Sequence, residues 1–145
     1  MGTNNPNLPT NCRCDEEAIQ YLASMVQALK TNTYITKTGA GPFTLTGTEM
    51  VGGTIEFSGS TTAVVVNTDT AANIQAAMTA IDPNAGVGST ANMTLMNDNT
   101  SSGAITVTAG ANVTIVGVAT IAIGVYRRYS IKWTAATTVS VTLIG

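Results

Sequence analysis

Chemistry in this chain would have to be done by eight acids, six bases and two cysteines, because it contains no histidine. Without histidine neither a Ser-His-Asp nor a Cys-His relay can be assembled, and a histidine-bearing metal site is excluded too. Cys12 and Cys14 form a Cys-x-Cys pair. A tetrahedral metal would need further sulfur or imidazole ligands that the chain lacks, and a disulfide between residues two apart is strained. Two free thiols, or an inter-chain contact, are the remaining readings. Glycoside hydrolysis needs two carboxylates facing each other across a cleft. Outside the N-terminal segment the acids are Glu49, Glu56, Asp69, Asp82 and Asp98, scattered singly along the sequence. Asn97-Asp98-Asn99 offers oxygen ligands for a hard cation, but with one carboxylate the triplet is read as turn chemistry. Gly39-Ala40-Gly41 is followed by Pro42 and a strand-like run where a nucleotide-binding loop needs a helix, so it too is a turn. Neither a Gly-x-Ser-x-Gly elbow nor a phosphate-binding Walker loop occurs. The expectation is a protein that is not an enzyme and carries no cofactor and no metal.

Charge excludes further classes. The net charge is −2, and the sole basic cluster is Arg127-Arg128 with Lys132. Neighbouring residues of a strand face opposite sides, so Arg127 and Arg128 cannot both grip one phosphate, and nucleic acid is not an expected partner. No apolar run approaches the ~20 residues of a membrane-spanning helix. The N-terminus, MGTNNPNLPTN, has no apolar signal core, and Pro6 stands where a myristoylation signal needs Ser or Thr. Synthesis in a cytoplasm, without membrane association, is expected. The Asn-x-Ser/Thr triplets at 92, 99 and 112 are what chance gives in so Thr-rich a chain.

The elements that must carry these residues divide the chain into residues 1–33, a polar arm and a helix, and 34–145, a β domain. In the first part, Asp15 can cap a helix over residues 15–30, with Glu16 and Glu17 against its first-turn amides and Lys30 at its C-terminal end. Ile19, Leu22, Val26 and Leu29 recur at helical spacing and form one apolar stripe. That stripe either lies on the chain's own sheet or packs with the same helix of neighbouring copies; as a possible subunit interface it is the main candidate surface of the sequence. Two heptads are marginal in water, so a bundle of such helices would need help from the β domain.

Over the whole chain Thr makes up more than one residue in six and only 14 residues are charged. Thr and Val suit pleated, half-buried surfaces. Tyr34-Ile35-Thr36, Phe43-Thr44-Leu45-Thr46 and Thr54-Ile55-Glu56-Phe57 are predicted strands. Residues 61–67 (TTAVVVN) are a further strand, whose apolar centre predicts burial on both faces. Asp69-Thr70 can cap a short helix over 71–81, with Ile74, Ala77, Met78 and Ile81 on one side and Pro83 ending it. Residues 91–96 alternate again, and residues 97–103 (NDNTSSG) are predicted to be a polar hairpin tip. From Gly103 to Gly145 nearly every run alternates, as in Ile105-Thr106-Val107-Thr108, Val113-Thr114-Ile115 and Val139-Ser140-Val141-Thr142-Leu143. The expected fold is mainly β: an antiparallel β-sandwich or small barrel with an N-terminal helix and one short inserted helix.

The C-terminal block, SGAITVTAGANVTIVG from Ser102, then Ala119-Thr-Ile-Ala, Tyr129-Ser-Ile-Lys-Trp-Thr and Val139-Ser-Val-Thr-Leu-Ile-Gly145, resembles the repetitive β modules of tailed-bacteriophage virion proteins. Such modules occur in head decoration (cement) proteins, head fibres and tail-fibre tips. The resemblance covers about the last third of the chain and carries no catalytic motif. It implies a structural virion component, commonly a homotrimer, on the capsid surface, with the major capsid protein or another virion protein as partner. An alternative is a receptor- or glycan-binding module of tail-fibre or adhesin type. For that reading Tyr126, Tyr129 and Trp133 are the candidate stacking aromatics, although Trp133 shares its alternation parity with Tyr129 and Ile131 and is assigned to the core.

Overall fold

The computed structural model describes residues 18–20, 22 and 33–145. The chain divides into two compact units, Met1–Lys30 and Thr31–Gly145. In the first unit Ala18, Ile19, Gln20 and Leu22 are helical. The helix ends proposed at Asp15 and Lys30, the Cys12/Cys14 pair, and Val26 and Leu29 of the stripe lie outside the described residues.

The second unit is mainly β, built as two sheets. Ten strands run in order: β1 (Tyr34–Thr38), β2 (Phe43–Thr44), β3 (Thr54–Ser58), β4 (Val64–Asn67), β5 (Thr90–Asp98), β6 (Ile105–Thr108), β7 (Val113–Val116), β8 (Thr120–Ile121), β9 (Tyr126–Ala135) and β10 (Thr138–Leu143). One sheet has the order β1-β3-β5-β9-β10-β7, the other β2-β4-β6-β8. The sandwich is as expected, and the sheets do not close into a barrel. Its strand directions are mixed, however, rather than antiparallel throughout. The first six strands alternate between the sheets, so the chain winds through one sheet, across to the other, and back. A strand that re-enters its sheet after a full coil runs in the same direction as before. Hence β1, β3 and β5 pair in parallel, as do β2, β4 and β6. After β6 the winding stops: β8 pairs antiparallel with β6, and the β9–β10 hairpin pairs antiparallel with β5. β7 then closes the sheet in parallel with β10.

The coils stack equivalent residues in columns. On the inner face of the six-stranded sheet Ile35, Ile55 and Leu95 form one column, and Lys37, Phe57 and Asn97 the next. Opposite them Phe43, Val66 and Val107 align, as do Val64, Ile105 and Ile121. The core is apolar and fully buried where columns meet, at Leu45, Met50, Ile55, Phe57, Val64, Val66, Leu95, Ile105, Tyr129 and Ile131. Residues 61–67 correct one expectation: Val64 and Val66 are buried but Val65 is exposed, because β4 has a covered face only toward the other sheet.

Two helices close the coil ends. The longer, α2 (Ala71–Ile81), follows β4, is capped by the Thr70 hydroxyl accepting from Asn73 N, and ends at Asp82. It buries Ile74 and Met78, with Ala77 and Ile81 packed against the core. Gln75 ties it to the β9–β10 hairpin by donating to the carbonyls of Ala135 and Thr138 at 3.3 and 3.4 Å. The shorter, α1 (Gly47–Met50), lies just past the strand predicted over Phe43–Thr46 and is not among the predicted elements. Its signal is present in the sequence as a capping box, Thr46-x-x-Glu49. Thr46 N donates to Glu49 Oε2 at 2.8 Å, and Glu49 N to the Thr46 hydroxyl at 3.3 Å. Asp69 links the two helices, accepting from Gly47 N at 2.7 Å and from the Asn73 side chain at 2.8 Å.

Glu49 also explains why the inner column at Lys37 is charged. The first coil has no coil beyond it, and inward-pointing charge blunts such an edge. Lys37 Nζ lies 2.8 Å from Glu49 Oε1, with both side chains largely covered. Burial pushes the Glu49 pKa up, but the hydrogen bonds from Lys37 and Thr46 and the Lys37 charge outweigh it and hold it below the ordinary glutamate value. A depressed folded value contributes stability that is complete above the unfolded pKa and is lost as pH falls through the folded one. Replacing Glu49 by Ala is therefore expected to cost about 1–2 kcal/mol at neutral pH. In urea titrations the gap between the two proteins should narrow as pH drops below about 4.3.

Candidate functional surfaces

The outer face of the six-stranded sheet carries a recess of about 340 Å³ whose lining includes Tyr34, Glu56, Met96, Asp98, Gly124 and Tyr126. Strand alternation puts these side chains there. Thr36, Glu56, Met96 and Tyr126 are register partners across β1, β3, β5 and β9, with parity opposite to the core columns. Tyr34 starts β1 one outward position earlier, and Asp98 ends β5 beside Ser58. Strands β1 and β9 are three strand spacings apart, about 14 Å, so the tyrosines form two walls with Glu56 and Met96 between them. Tyr34 is 60% exposed and Tyr126 63%.

The Tyr34 hydroxyl donates to Glu56 Oε2. That hydrogen bond, then partial burial and the charges of Glu56 and Asp98, raises the Tyr34 pKa, so the phenol stays protonated. Glu56 and Asp98 both line the recess, and Asp98 accepts no hydrogen bond from the other described side chains. No lysine or arginine lines the recess. Its surface is thus aromatic, acidic and rich in acceptors.

One end of the recess is fixed by a buried amide cluster at the corner from β5 to β6. Residues 97–103 are not a polar hairpin tip: β5 and β6 belong to different sheets, and Asn97 and Asn99 are 2% and 3% exposed. Asn97, Asn99 and Gly103 turn inward at this corner, where buried backbone groups must be paired internally, while Thr100, Ser101 and Ser102 stay exposed. Asn97 Nδ2 donates to the carbonyls of Gly103 and Ile121 at 3.0 and 2.9 Å, and its Oδ1 accepts from Asn99 N at 3.1 Å. Asn99 Oδ1 accepts from Ser60 N at 2.9 Å, and its Nδ2 donates to the Gly103 carbonyl at 3.1 Å. Gly103 is required here, since a Cβ would run into the Asn99 side chain and the Ser60 carbonyl. The Asn97 backbone meanwhile pairs with the loop before β9: Asn97 N donates to the Val125 carbonyl at 3.0 Å and Gly124 N to the Asn97 carbonyl at 2.8 Å. The interior amides thereby set the position of the loop that ends the recess.

Of the three aromatics considered for stacking, only Tyr126 stands on this surface. Tyr129 is fully buried, and burial pushes its phenol pKa up. Trp133 packs against the core, and its indole N–H, like Arg127 Nε, finds no hydrogen-bond partner among the described residues. Arg127 and Arg128 face opposite sides of β9, as alternation requires, the first half-buried and the second exposed. Tyr34, the wall opposite Tyr126, was passed over; its outward parity, shared with Thr36 and Thr38, was the available signal. Among the described residues no group of His, Cys, Asp and Glu could hold a metal ion.

Apolar side chains are also exposed on each unit, taken separately. Of the predicted helical stripe, Ile19 and Leu22 are described, and they are 65% and 59% exposed. In the β unit, Val116, Val118 and Ile144 are exposed around the outer edge strand β7 and the end of β10. Comparison with protein-family models, with curated proteins and with solved structures gives no match, so the site geometry and the sequence carry the functional reading.

Proposed function

We propose that the protein is a structural virion component of the capsid-decoration type. In this reading it is a homotrimer that clamps a phage head through its N-terminal arm, its helix and its sheet edges. The observation that carries the reading is the exposure of Ile19 and Leu22, two residues of the predicted apolar stripe. Leaving such side chains in water forgoes roughly 1.5–3 kcal/mol each, which association of the helices around a three-fold axis would recover. Uncovered edges at β1 and β7 supply further surfaces for neighbouring molecules. The phage-like C-terminal block and the low charge of the chain point the same way.

Light scattering on the purified protein is expected to give three times the 14.8 kDa of one chain. The double substitution Ile19→Asp, Leu22→Asp should yield a monomer whose β unit still melts cooperatively. The protein should also co-sediment with expanded phage capsids and be detected in virions by mass spectrometry. A wild-type monomer that fails to bind capsids would refute the proposal.

A further inference from the structure

We propose that the recess between Tyr34 and Tyr126 is a carbohydrate-binding site for a neutral hexose unit of a surface glycan. The proposal goes beyond the structural role and does not depend on it, because the recess lies within one β unit. Three features select the ligand. Two exposed tyrosines about 14 Å apart at the backbone leave room for a sugar ring whose apolar C–H face can lie on an aromatic wall. Between them stand the Glu56 and Asp98 carboxylates, acceptors that match the donating hydroxyls of a polyol. The same two carboxylates, with no lining cation, repel sialic and uronic acids, so the site discriminates against acidic glycans by charge.

The recess is also held in shape before any ligand arrives. The Tyr34–Glu56 hydrogen bond orients one wall and one acceptor together, and the Asn97 pairing fixes the loop at Gly124 and Val125. Such prior ordering lowers the entropic cost of binding. Met96 supplies an apolar floor between the carboxylates. The open trough admits an internal residue of a chain as well as a terminal one.

The test is a glycan array of neutral, amino-bearing, sialylated and uronic-acid oligosaccharides, followed by calorimetry on the strongest neutral hit with the full-length protein. Neutral hexose glycans should bind and the acidic ones should not. Tyr126→Ala and Glu56→Gln should each weaken that binding about tenfold, as loss of a central contact does. Their melting temperatures should stay within a degree or two of wild type, because both side chains face solvent. Thr48→Ala, away from the recess, should bind like wild type. Absence of neutral-glycan binding, preference for acidic glycans, or undiminished binding by Tyr126→Ala would each overturn the assignment. Tetramethylammonium binding without sugar binding would overturn it as well and identify a cation cage instead.

Discussion

Asn97→Leu, which matches the side chain in size but removes its amide, is expected to lower the unfolding free energy by about 2–5 kcal/mol. Asn97 sits in the inner column that holds Phe57 one coil earlier, so an apolar residue fits the space. Space is not what the position needs. The amide satisfies the Ile121 carbonyl and Asn99 N, and shares the Gly103 carbonyl with Asn99. Leucine leaves Asn99 N without a partner in the interior, at about 1–3 kcal/mol, and takes one donor from each of the Ile121 and Gly103 carbonyls, at about 0.5–1.5 kcal/mol each. Urea denaturation followed by circular dichroism measures the loss. A companion substitution, Asn97→Asp, adds a pH signature. A carboxylate there loses both donated hydrogen bonds and faces two carbonyl oxygens, so burial and repulsion raise its folded pKa. The penalty should then be smallest in acid and grow as pH rises above the unfolded value of about 3.9. A stability gap between Asn97→Asp and wild type that did not change from pH 3 to 7 would show that the amide does not donate to these carbonyls.

Phe57→Ala is expected to cost about 3–5 kcal/mol, the range for emptying a large, fully buried aromatic site. Phe57 belongs to the six-stranded sheet and its ring meets that of Phe43 in the four-stranded sheet, with centroids 5.6 Å apart and planes tilted by 47°. Tilted pairs of this kind add about 0.5–1.5 kcal/mol beyond area burial. The pair ties together the first two coils, where β2 is only two residues long and gives the four-stranded sheet little backbone pairing of its own. Phe57→Leu should restore more than half of the loss. The denaturant dependence should be unchanged in both variants, since the same surface is exposed on unfolding. A cost for Phe57→Ala below about 1.5 kcal/mol would mean that the sheets do not pack through this contact.

Both positions show where local pattern stops being informative. Alternation identifies Thr54-Ile55-Glu56-Phe57 as a strand with Ile55 and Phe57 on one face. The same alternation could not distinguish an inner Asn97 from a turn residue, because Asn, Asp and Ser clusters are the composition of turns. What differs is where the backbone goes next. A hairpin returns to its own sheet, whereas this corner carries the chain to the other sheet with Asn97 and Asn99 turned inward to pair buried backbone groups and residues 100–102 in water. The internal repetition of three coils is present in the sequence, with Thr38-Gly39, Ser58-Gly59 and Asp98-Asn99 each followed by a further predicted strand. The period is broken because α2 lengthens the second coil.

The recess was legible only in fragments. Tyr126 was recognised as a surface aromatic, and Glu56 and Asp98 as isolated acids. Nothing in their spacing joins residues 34, 56, 98 and 126, because strand register, not sequence separation, sets their proximity.

By itself the sequence determined that the β unit is mainly strand, where its turns fall, that Thr70 starts a helix ended before Pro83, and that no histidine-based chemistry is available. These follow from local periodicity, capping and residue inventory, which act within a few residues. The tertiary structure alone decided that the strands wind in parallel between two sheets, that Asn97 and Asn99 are interior, and that two tyrosines and two carboxylates share one trough. Parallel pairing joins residues a full coil apart, and no interaction at that range leaves a mark on the pattern of neighbours.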